Sequence, residues 1–138
     1  MNNMPREIRH ALRADPILQA MLGYDNDGEV KVYTPLAKPN VEAPYVTFSI
    51  IPNQGPIAVY GDSEVLEPFP VAISAWGRDG IEAWSIADAV DDAAKRADYS
   101  FEPYDLMYVL RTSTPREFQD RDTGLFYLVT SYSYALGR

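Results

Sequence analysis

At 138 residues, with 46% apolar and 23% charged side chains, the chain fits one α+β domain over residues 1–138, long enough to bury a core without staples. Cysteine is absent, which excludes a disulfide framework, a thiolate nucleophile and any cysteine-ligated zinc. A formal net charge of -8 makes the molecule as a whole repel polyanions, so a nucleic-acid reader would need a local basic patch.

No apolar run approaches the roughly 20 residues of a membrane helix, and Met1 to Arg13 lacks a signal-peptide apolar segment. The first helix is expected from near Asn3, with Pro5 in its first turn, where a missing N–H costs nothing, and Ile8, Ala11 and Leu12 on one side. Arg6, Arg9 and Arg13 fall within an arc of about 60° on that helix. They form a candidate partner-facing basic stripe, and the plainer reading is a solvated face. Asp15-Pro16 interrupts the helix, and a short second piece from Ile17 to Leu22 closes at Gly23. The close-set acids of Tyr24-Asp-Asn-Asp-Gly28 resemble the start of a calcium loop. The third acid and the terminal bidentate Glu are missing, so the segment reads as a turn.

Val30 to Tyr33 is a short strand candidate, and Pro35 to Pro44 a connector. Tyr45 to Ile51 is a firmer strand in which Val46, Phe48 and Ile50 alternate with Tyr45, Thr47 and Ser49. The stretch 52–68 mixes apolar residues with turn formers and is too long for a tight hairpin. It reads as an extended hairpin arm, or as a loop that orders on a partner. Val59, Tyr60, Val65 and Leu66 within it are candidate subunit or partner contacts.

Phe69 to Trp76 is the central strand: Phe69, Val71, Ile73 and Ala75 share one face, and Ala72 and Ser74 keep the other shallow. Gly77-Arg-Asp-Gly80 turns into the clearest helix, with Asp79 as N-cap and Glu82 three residues on, running to about Ala97. Ala83, Ile86, Ala87, Val90, Ala93, Ala94 and Ala97 make an alanine-rich face that allows close approach to a sheet. Asp91–Lys95 and Asp92–Arg96 are i,i+4 pairs. Trp84 falls on the flank, as an edge of the core or as a subunit contact. Leu106 to Phe118 and Leu125 to Leu136 read as a hairpin with Gly124 supplying positive φ. The first half of the last strand is apolar on both faces, which predicts burial there. Tyr132 and Tyr134, near its end, fit either sheet interior or a protein interface.

Chemistry is sparse. His10, the single histidine, has no sequence neighbour to work with, and the chain lacks a phosphate loop, a metal-spaced histidine pair and a dinucleotide fingerprint. Gly77–Gly80 joins a strand to a helix start, but Asp79 at the cap would repel phosphate. No catalytic, cofactor-binding or metal residue is assigned, and no cofactor is expected.

Several segments in order carry a resemblance: Ile-x-x-x-Leu in the first helix, Pro-Ile-Leu-Gln-Ala-Met-Leu-Gly, Ala-Pro-Tyr-Val-Thr-Phe, and Val-Ala-Ile-Ser-Ala-Trp-Gly-Arg-Asp-Gly leading into Ala-x-x-Ile-Ala-Asp-Ala-Val. Together they resemble the tail-terminator, or tail-completion, proteins of long-tailed bacteriophages, with 52–68 departing from the pattern. The resemblance implies an α+β fold, with a mixed or mainly antiparallel sheet of about 4–6 strands and two main helices packed on it, plus the arm. It implies a structural, non-enzymatic virion protein made in the host cytoplasm. Its copies would assemble as a homohexameric ring that caps the tail tube at the head–tail junction. Partners would be the tail-tube protein and a head-connector or head-completion protein, with DNA passing through the lumen unbound. The rival readings are a small ligand-binding or adaptor domain of similar fold, which folds alone do not distinguish, and a small enzyme built around Trp84, Tyr60 or the Arg-Asp turn.

Overall fold

The structure, a computed structural model, describes residues 4–50, 56–60, 63–66, 68–102 and 104–137. The expected helix start at Asn3 and the arm residues between these ranges lie outside the described residues.

Helix α1 (Met4–Arg13) buries Met4, Ile8, Ala11 and Leu12, the stripe that its helical spacing dictates. Helix α2 (Pro16–Leu22) begins with proline in its first turn and is capped by Asp15, whose carboxylate accepts from Leu18 N–H at 3.0 Å. Helix α3 (Gly80–Arg96) is capped by Asp79, which accepts from Glu82 N–H at 2.8 Å. The expected capping box closes one residue early, because the Glu82 carboxylate takes the Arg78 N–H at 2.8 Å and the Arg78 side chain as well.

Eight strands form one mixed sheet: β1 (Val32–Tyr33), β2 (Tyr45–Ile50), β3 (Pro56–Tyr60), β4 (Ser63–Leu66), β5 (Phe69–Gly77), β6 (Asp105–Arg111), β7 (Arg116–Gln119) and β8 (Phe126–Gly137). Among the described residues only β1 and β2 pair in parallel. β2 runs antiparallel to β5 from Tyr45↔Trp76 to Ile50↔Val71. β3 and β4 continue the same pairing from Pro56↔Leu66 to Tyr60↔Ser63, so the arm is the far end of one long hairpin. Its tie to the body is Val65↔Gly137.

β8 is the central strand, with β5 along one side and β7 and β6 end to end along the other. The expected continuous strand from Leu106 to Phe118 is broken because Pro115 has no N–H to give to a ladder. In the gap, Thr112 N–H donates to the Ser131 carbonyl at 2.8 Å, and Ser113 Oγ accepts from Ser131 N–H at 3.0 Å.

All three helices cover one sheet face. Val71, Ile73 and Ala75 of β5 and Leu128, Tyr132, Tyr134 and Leu136 of β8 meet the alanine-rich side of α3. Gly77 is needed where the strand turns under that helix, since a Cβ there would lie 2.6 Å from the Ala83 nitrogen. Burial in the first half of β8 alternates from residue to residue, where burial of both faces was expected. Leu128 and Thr130 are buried while Tyr127 and Val129 are half-buried, because helices cover only one face; farther along, residues 132–137 are buried except for Ser133.

Asp91 and Lys95 pair at 2.9 Å as expected, but Arg96 turns from Asp92 to Asp15 at 2.8 Å. Asp15 is the better partner because it is already fixed by capping α2 and is only 8% exposed in its side chain. Asp15 therefore holds the start of α2 and the end of α3 together. Asp15→Ala is expected to cost about 1–2 kcal/mol in a urea titration, as loss of a cap and of a charge-assisted bond requires.

Candidate assembly surfaces

The face of the sheet away from the helices carries a row of aromatic rings that crosses four strands. Tyr45, Trp76, Tyr127 and Phe118 are successive register partners on β2, β5, β8 and β7. Their ring centroids are 5.5, 4.3 and 5.3 Å apart and nearly parallel. The Arg116 guanidinium lies 5.5 Å from the Phe118 ring, and Trp76 Nε1 donates to Thr47 Oγ1 at 3.0 Å. Behind the row, Ala72, Ser74, Ser131 and Ser133 keep this face shallow. Strand alternation alone separates Trp76 from the Val71–Ile73–Ala75 side, but the row emerges only once the register is known.

At the β6–β7 edge, large apolar side chains reach solvent: Met107 is 60% exposed and Leu110 54%, with Tyr108 and Phe118 also exposed. Both strands pair only with β8, so among the described residues their outer backbone groups have no sheet partner. On α3, Ile81 and Trp84 are exposed as well.

The residues singled out from sequence divide sharply. Trp84 is at the surface. Tyr132 and Tyr134 are not, which corrects their candidacy as interface residues: they are 1% and 0% exposed, held between β5 and β6 under α3. Tyr132 donates to the Asp91 carboxylate at 3.0 Å, and Tyr134 meets the Tyr99 hydroxyl at 2.8 Å. A tyrosine with a buried ring and a satisfied hydroxyl is a core residue. Val59 and Tyr60 lie on β3, and Val65 and Leu66 on β4; their side chains lie outside the described residues. The basic stripe breaks at Arg13, which turns inward to pair with Glu29 and to donate to the Val32 carbonyl at 2.7 Å, over the Tyr33 ring. Arg6 stays exposed and Arg9 is half-buried.

A shallow polar cleft of about 340 Å³ is bounded by Asp25, Asp27, Lys31, Lys38 and Glu42. Asp25, Asp27 and both lysines already have partners. Asp25 accepts from the N–H groups of Asp27 and Glu29 and from the Tyr33 hydroxyl, and those bonds, that of Glu29 first, hold its carboxyl well below the usual carboxylate range. Lys38 bridges Asp27 and Asp25, and Lys31 donates to the Glu42 carbonyl at 2.9 Å. This is a self-satisfied turn, and the acid-rich loop is explained by it. Among the described residues no three metal-ligating side chains are grouped to hold an ion, and His10 is exposed on α1. No described helix is long and apolar enough to cross a membrane.

The family described as "Tail completion protein gp17" matches residues 6–136 of the chain. No curated protein matches. Among solved structures, a chain from "Virion of native gene transfer agent (GTA) particle" superposes with a TM-score of 0.71 at 18% identity, over 98% of this chain and 95% of that one. Identity at that level speaks for a shared fold.

Proposed function

The chain belongs to the tail completion protein gp17 family, structural components of the phage virion tail, and from that premise we propose that it closes the finished tail tube as a ring of about six copies. The ring's far surface would take the head connector or head-completion protein. The observation that carries this reading is the exposed apolar edge at Met107, Tyr108, Leu110 and Phe118. Solvent-facing apolar groups gathered on edge strands belong to a surface that another protein covers. Trp84 and the arm, with Val59, Tyr60, Val65 and Leu66, add further contacts between copies or to the tube. A net charge of -8 suits a lumen through which DNA passes without adhering, so lysine substitutions of lumen acids are expected to slow ejection.

The test is to add purified protein to growing tail tubes. Elongation is expected to stop, with the protein found at tube ends by electron microscopy. Continued growth with bare ends would reject the capping role.

A further inference from the structure

Two of the edge strands of the sheet are alike in chemistry. Among the described residues, β6 pairs only with β8 and β3 only with β4. Each has an uncharged run: Leu106 to Leu110 in β6, and Pro56 to Tyr60, the whole of β3. Edge strands of independent proteins are normally blunted by charge, proline or bulges, since a free row of N–H and C=O groups recruits other strands. Each of these two strands has one irregularity near its start, at Pro56/Ala58 and at Leu106/Tyr108, and pairs regularly beyond it. Here charge sits only at the ends of β6, at Asp105 and Arg111.

Their placement decides what can cover them. β3 continues the line of β2, on one side of β5 and β8, whereas β6 lies beyond β8 on the other. Among the described residues β1 does not shield β3, because it pairs only with Val46 and Thr47. The arm, with one bridge to the body at Val65↔Gly137 among the described residues, is a two-stranded element of the kind that is marginal alone and needs a further strand or surface. The two edges cannot meet within one chain. They can meet between copies, and because they are different edges the contact is heterologous, the type that repeats from copy to copy and closes a ring when the rotation between copies closes.

We propose that β3 of one copy adds as a strand to β6 of the next, so that the sheets of neighbouring subunits run on into one another. Backbone hydrogen bonds then supply the pairing, and Met107, Tyr108 and Leu110 are covered on assembly. The proposal rests on the ring reading above only for closure; the pairing itself needs two copies.

The absence of cysteine makes the test clean. Ala58→Cys in β3 and Leu110→Cys in β6 are prepared separately, mixed, and treated with a short bis-maleimide, both free in solution and with tail tubes present. A mixed dimer is expected at about tenfold or more over a control mixture of Ala58→Cys with Leu36→Cys, because a bound thiol pair has a far higher effective concentration than colliding ones. Met107→Cys serves as a second β6 probe if Leu110→Cys folds poorly. A double Ala58→Cys/Leu110→Cys chain is expected to give a ladder of oligomers. Yields at the control level, or equal dimer from either single variant alone, would overturn the pairing. The same variants without cross-linker are scored for tube capping. Capping without the cross-link rejects strand addition alone, and the cross-link without capping rejects the tail-closing role alone.

Discussion

Tyr134→Ala is expected to destabilise the isolated chain by about 3–5 kcal/mol, the range for removing a fully buried aromatic ring, and so to consume much of a typical domain's margin. The ring is 0% exposed and packs edge-on against Tyr99 and Phe101, with centroids 5.4 and 6.4 Å away. Tyr134→Phe separates the ring from its hydroxyl. Tyr99 spends its own proton on the Ala94 carbonyl at 2.8 Å, so losing the Tyr134 hydroxyl strands no donor and costs about 1 kcal/mol. Trp84→Ala is the counterpart at the surface: 41% exposed on the flank of α3, it is expected to stay within about 0.5 kcal/mol of wild type in stability. Chemical denaturation of the three variants at a concentration where the protein is monomeric checks the ranking. If Tyr134→Ala matched wild type, the tyrosine would return to the list of candidate contacts.

That contrast shows where sequence reasoning reached and where it stopped. The α3 unit was legible because its determinants are local: Asp79 and Glu82 mark the start, alanines mark the packed side, and the alternation of β5 marks a sheet strand. Alternation also put Tyr132 and Tyr134 on one face of β8. It could not say that this face is the covered one, since that depends on helices placed by distant parts of the chain. The Arg96–Asp15 pair joins residues 81 positions apart and displaces the local Asp92 partner that spacing favoured. The aromatic row needs the register of four strands at once. What the sequence pattern lacked in each case was long-range pairing, and the same gap applies to the β3 and β6 edges, whose likeness is visible only after the sheet order is known.

Alkaline pH is expected to unfold the protein steeply above about pH 10, the ordinary tyrosine value. Burial pushes up the hydroxyls of Tyr99, Tyr132 and Tyr134, that of Tyr99 to about 12. Burial and the neighbouring carboxylate Asp25 act on Tyr33 in the same direction. The neutral form is thus favoured in the fold, and these groups leave stability intact below the unfolded pKa. As pH rises past 10 the unfolded chain releases protons that the folded chain keeps, so unfolding gains about 1.4 kcal/mol per pH unit for each such tyrosine until its folded value is reached. Tyr99 stops contributing near 12, while the more strongly shifted Tyr132 and Tyr134 carry the slope on. Tyr132 is tied to this behaviour by Asp91, whose carboxylate accepts its proton and would repel a tyrosinate. Tyrosinate absorbance recorded alongside far-ultraviolet dichroism should show these hydroxyls ionising together with loss of the fold. In Tyr99→Phe the pH dependence of stability between 10 and 12 should fall by about one proton. Ionisation of the full set of 10 tyrosines with native dichroism retained would mean that the hydroxyls under α3 are open to water, and the burial assigned to Tyr132 and Tyr134 would fail with it.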